Sequence, residues 1–198
     1  MPALSRHRLR AALPAAITAL ALAVPLSAGA GKHDHDHGHQ RAHTHGHAEL
    51  DVAIDRQTIT LHLSSPLDGI VGFERAPRTD AERKRVSEAT TRLQAADRLF
   101  VPDPAAGCKL SQATLSSPVL GLGKAEGHDH GHSHTDKHHD IDVHIVFACT
   151  DAGKARFIDV KLFDAFKRIR SIDAQVASGN GQFKRRLRPD AARLAWDR

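Results

Sequence analysis

The sequence predicts an α+β domain built mostly on antiparallel sheet, and three observations predict it. Apolar residues alternate with polar ones in several stretches, most clearly Leu50/Val52/Ile54, Ile59/Leu61/Leu63 and Ile141/Val143/Ile145/Phe147. An extended chain throws successive side chains to opposite faces, so this spacing reads as strands with one buried face. Helical spacing is confined to one long charged run, 82–97, and one short run near 163–169. Much of the remainder is two polar, histidine-rich tracts without apolar periodicity, which read as an arm and an inter-strand loop.

In chain order, residues 1–30 read as an export signal. Arg6, Arg8 and Arg10 precede an apolar stretch from Ala11 to Val24, and Ala28-Gly29-Ala30 offers a small-x-small cleavage pattern. The stretch is shorter than the roughly 20 residues of a spanning helix, which makes an uncleaved anchor the weaker reading. The mature chain is therefore expected to start at Gly31, outside the cytoplasm and not embedded in a membrane. Its removal takes away three arginines and no acids, so the net charge falls from +5 to +2. That balance gives no support to a nucleic-acid partner.

Residues 31–47, "GKHDHDHGHQRAHTHGH", form a flexible His-rich arm, and an α+β domain is expected over 48–198. Its first two strands make a hairpin turning near Asp55-Arg56-Gln57. "SPLDGIVGFERAP", punctuated by Pro66, Gly69, Gly72 and Pro77, is an irregular or short helical link. Thr79 to Glu82 has the form of a capping box, and Val86, Ala89 and Leu93 give the following helix one apolar stripe. Strands are expected over 108–116 and 141–149, joined by a His-rich loop, 121–139. Ile158, Val160 and Leu162 suggest a short strand running into the brief helix. A closing hairpin, 172–176 and 182–187, turns at Ser178-Gly179-Asn180-Gly181. Trp196 is expected to plug the core edge. The near-repetition of strand, strand, helix, strand raises internal duplication as an alternative origin.

Cys108 and Cys149 are the two cysteines, and in an exported chain the default is a disulfide. A thiolate metal ligand is the competing reading, although neither has a second Cys or a close His beside it.

Of 16 histidines, all but His7 and His62 lie in the two tracts or just beyond them. The first set is His33, His35, His37, His39, His43, His45 and His47; the second is His128, His130, His132, His134, His138, His139 and His144. Imidazole suits zinc, copper, nickel and iron, whereas calcium and magnesium prefer oxygen cages. Histidines at every second position lie about 7 Å apart along an extended chain, close enough for neighbours to turn onto one Zn(II). Asp34, Asp36, Asp129 and Asp140 can add a carboxylate or hold the far nitrogen of a bound imidazole. Each ion must also order the chain that binds it, which points to moderate affinity and fast exchange. That profile suits capture, buffering and hand-over rather than catalysis. Because ligands must be deprotonated, binding is expected to weaken below about pH 6.

If the strand starts lie close together, His43, His45 and His47 are expected to meet His138, His139 and His144 at one end of the sheet. His144 would face away from the core beside Asp142, and a solvent-facing residue is the bland alternative. His62 reads as a bystander. Cleavage after Ala30 would also expose Gly31-Lys32-His33, an amine with histidine third, able to wrap Cu(II) or Ni(II) in a square plane.

Several motifs together resemble the ZrgA-like family of periplasmic zinc-uptake proteins of Gram-negative bacteria. They are "HTHGHAELDVAID" (43–55), "SPLDGIVGFERAPRTDAE" (65–82), "AAGCKL" (105–110), "DVHIVFAC" (142–149), "DVKLFDAF" (159–166) and "RLAW" (193–196). The resemblance covers nearly all of the mature chain. It implies a periplasmic zinc-binding protein whose partners are zinc and the components of an ABC-type importer. It also marks His43, His45, Glu49, Glu74 and His144 as positions matching the family's motifs. The family commonly reads G-F-E-H-A-P where this chain has Arg75, which puts that contact in doubt.

No H-E-x-x-H or G-x-S-x-G motif occurs, so the sequence does not read as an enzyme. A detoxifying sponge for copper, nickel or excess zinc is the alternative function, since identical ligands would serve it.

Overall fold

The computed structural model describes residues 45–123 and 139–196, and the architecture is α+β, as the hydrophobic patterning predicts. Strands β1 (His47–Asp55) and β2 (Thr58–Pro66) form the expected hairpin, with Asp55 opposite Thr58 across Arg56 and Gln57. The link after Pro66 opens with a one-turn helix, α1 (Leu67–Val71), which Gly72 ends in the left-handed region at φ 85°. Helix α2 (Asp80–Gln94) starts two residues before the charged run 82–97 and stops three residues before its end. Its start is the capping box: Thr79 Oγ1 accepts from the Glu82 N–H, and the Glu82 carboxylate accepts from the Thr79 N–H.

Beyond α2 come β3 (Phe100–Pro102), β4 (Cys108–Ser116), β5 (Asp140–Cys149) and β6 (Phe157–Val160). Helix α3 (Leu162–Ala165) begins at Leu162, a residue the alternation assigned to the strand. The chain closes with β7 (Ser171–Ser178), β8 (Gly181–Leu187) and β9 (Arg193–Ala195). The six-stranded sheet has the order β4-β5-β2-β1-β7-β8, and β3-β6-β9 form a second, three-stranded sheet. Every pairing is antiparallel except β1 with β7, which is parallel.

One face of the large sheet is apolar. Leu50, Val52, Ile59, Leu61, Leu63, Ile141, Val143, Ile145 and Phe147 are all buried and join the helices and the small sheet in one core. Trp196 is 7% exposed and belongs to that core, as expected of a plug. The other face carries the polar half of the alternation. Cys108 and Cys149 sit opposite each other in the β4–β5 register and form a disulfide with a sequence separation of 41, which removes the thiolate-ligand reading. In the chain-entropy model such a closure contributes about 4 kcal/mol.

Candidate metal site

Both His-rich tracts join the sheet at the same end. His45 and Gly46 lead into β1, and His139 leads into β5, whose first residue Asp140 lies opposite Pro66 at the end of β2. Gly46 fixes this rim. Its carbonyl accepts from the Arg170 N–H at 2.7 Å and the Ser171 N–H at 3.1 Å, and its φ is 77°. A Cβ here would stand 2.8 Å from the Arg168 carbonyl oxygen, so only glycine fits without displacement.

Held in this way, the exposed His45 ring places Nδ1 3.4 Å from Asp68 Oδ2 and 3.6 Å from Glu74 Oε1. Asp68 lies in α1 and Glu74 just beyond the glycine that ends it. Two donors on one tetrahedral zinc at roughly 2.0–2.1 Å are about 3.3 Å apart, so each separation is of the size a shared ion needs. Asp68 is further positioned by Arg168, whose guanidinium donates to Oδ1 at 2.6 Å and to the Asp68 carbonyl at 2.9 Å. His139 approaches from the other tract: its Nδ1–H donates to the Glu74 carbonyl at 2.5 Å. In a neutral ring this leaves the lone pair on Nε2, the arrangement that prepares an imidazole for a metal. Among the described residues no group of three His, Cys, Asp or Glu side chains is already assembled to hold an ion. His45 stands at a suitable distance from Asp68 and from Glu74 in turn, without a finished cage.

The remaining candidates are dispersed. His47 is half-buried at the start of β1, with Nδ1 3.0 Å from Ser171 Oγ and Nε2 3.4 Å from Asp173 Oδ2. Both its nitrogens face β7 rather than the rim cluster. Glu49 is exposed on the polar face, in register with Ser64 and Asp173. His144 lies on the same face beside Asp142, opposite His62 on β2, some way in from the rim. His33, His35, His37, His39, His43, His128, His130, His132, His134 and His138, with Gly31 and Lys32, lie outside the described residues. Arg75, the departure from the motif, is bound to α2: its guanidinium pairs both oxygens of Glu82, at 2.7 and 3.0 Å. That pairing, helped by the Arg78 N–H, holds the Glu82 carboxyl down at about 2.

The sequence reasoning missed Asp68 and Arg168. Asp68 belongs to the quoted "SPLDGIVGFE" stretch, where an aspartate in a short link reads as a turn residue and carries no local signal of a ligand.

A family model described as "ZrgA family zinc uptake protein" matches residues 42–196, most of the chain. The chain belongs to the ZrgA family. No curated protein matches it. Zinc uptake is thus the family's role, and the ZrgA family is not an enzyme family. Among the described residues, no helix of this ZrgA-family chain is long and apolar enough to cross a membrane.

Proposed function

We propose that the chain is a periplasmic protein that captures and buffers Zn(II) and assists its uptake through an ABC importer. The observation that carries this reading is the placement of His45 Nδ1 between the Asp68 and Glu74 carboxylates, at the rim where both His-rich tracts join the fold. Zinc is the cargo. Imidazole and carboxylate donors select a borderline divalent ion, and the unfinished cage favours exchange over permanent retention. His139, which follows the second tract, meets the same residue from the other side, its Nδ1–H on the Glu74 carbonyl, so both tracts lead to the neighbourhood of Glu74. Export, inferred from the signal-like residues 1–30, places the cargo where an importer collects it.

The test is a competition titration of Zn(II) into the mature chain against a chromophoric chelator, alongside the double variant His45→Ala/Glu74→Gln. The wild type should hold one equivalent more tightly than the rest, and the variant should lose that equivalent. In cells starved of zinc by chelation, the wild type should restore growth to a strain lacking this protein and the variant should restore it poorly. Identical titrations for both proteins would remove the rim site, and a wild type unable to compete with a weak chelator would remove the zinc function.

A further inference from the structure

We propose that His62 and His144, paired across β2 and β5 on the polar face of the large sheet, form with Asp142 and Asp51 a second site for a borderline divalent cation such as Zn(II). The register sets His62 directly opposite His144 on one side and Asp51 on the other. Directly opposed residues of an antiparallel pair have Cβ atoms about 4.5–5.5 Å apart. Two imidazole nitrogens bound to one tetrahedral ion need a separation of about 3.3 Å, which side chains starting that close reach by rotation about χ1 and χ2. Asp142 is the diagonal neighbour, and its Oδ1 lies 3.6 Å from His62 Nε2. That nitrogen therefore already faces a carboxylate at nearly the spacing two ligands of one ion adopt.

The surroundings suit an ion that comes and goes. The His62 and Asp142 side chains are 48% and 39% exposed, so water can fill remaining coordination positions. His62 and Asp51 also line a cavity of about 310 Å³, shared with Thr60, Gln175, Phe183 and Lys184, that opens on this face. Two carboxylates beside two imidazoles favour a cation, whereas two protonated rings placed opposite each other would repel. No three-ligand cage is preassembled among the described residues, so ligand rotation opposes binding and the site is weaker than one held by fixed donors. The proposal stands on a face separate from the His45 rim and uses none of its residues.

The test is carbethoxylation of the full-length mature chain with diethyl pyrocarbonate, read histidine by histidine by mass spectrometry, with and without Zn(II). The reagent attacks an imidazole nitrogen lone pair, which a bound ion occupies. Labelling at both His62 and His144 should fall severalfold with zinc. His62→Gln should abolish zinc protection at His144, and His144→Gln should abolish it at His62, while His45 remains protected in both variants and reports an intact fold. Persistent protection of His144 in His62→Gln would overturn the pairing, since another donor would then be recruiting it. Unchanged labelling of both residues in zinc would overturn the site while leaving the rim reading to the response of His45. Protection of His62 and His144 without protection of His45 would support this site and remove the rim.

Discussion

A guanidinium at position 75 does work that neither an imidazole nor an amide can copy. It grips both oxygens of Glu82, the same carboxylate that caps α2. The Glu82 pKa is lowered from 4.5 to about 2, so its contribution to stability is complete above about 4.5 and is lost as pH falls through about 2. Arg75→Gln is accordingly expected to lower Tm at pH 7, and the gap from wild type should narrow as pH is brought from about 4.5 toward 2 in thermal melts. At the rim, His45→Ala should weaken the tightest zinc equivalent at least roughly tenfold, about 1.4 kcal/mol, in the competition titration. Histidines are conspicuous in a sequence, so His45 and His139 could be named from spacing alone. Asp68 could not, because an aspartate in a short link is most often a turn residue, and only the fold brings it to 3.4 Å from His45.

Among the elements, the strands with clean alternation were legible because burial of one face imposes a period of two. Strands β3 and β9 were not, since each has three residues and offers at most one alternation. The parallel pairing of β1 with β7 joins residues far apart in sequence, and no local pattern records it. The short helices α1 and α3 blur for a related reason: four or five residues hold too little of a 3.6-residue period to fix their ends. Two predictions belong to this scale. Gly46→Ala forces a Cβ to 2.8 Å from the Arg168 carbonyl at positive φ. It should cost about 1–3 kcal/mol in denaturant unfolding and weaken zinc binding by displacing His45. Cys108→Ala/Cys149→Ala should lower unfolding free energy by about 4 kcal/mol in the same assay. It should largely spare the rim equivalent, because Cys149 ends β5 and His139 precedes its start.

For the molecule as a whole, an ion that binds the folded chain and not the unfolded one must stabilise it. With free zinc at 100 times the dissociation constant of the rim site, the gain should be about 2.7 kcal/mol. A Tm that keeps rising with the logarithm of free zinc, and that rises less in His45→Ala at the same zinc concentration, is the expected calorimetric result. The β4–β5 hairpin adds a property of another kind. A covalent tie secures it at one end and the histidine segment departs from the other. Doubling the length of a loop costs only about 0.6 kcal/mol, and positions 124–138 lie outside β4, which ends at Ser116, and β5, which begins at Asp140. On the proposed function, inserting or deleting residues between positions 124 and 138 is therefore expected to change how many ions the chain carries while leaving the stability of the disulfide-tied strands in place, an outcome that zinc stoichiometry and Tm of such variants check.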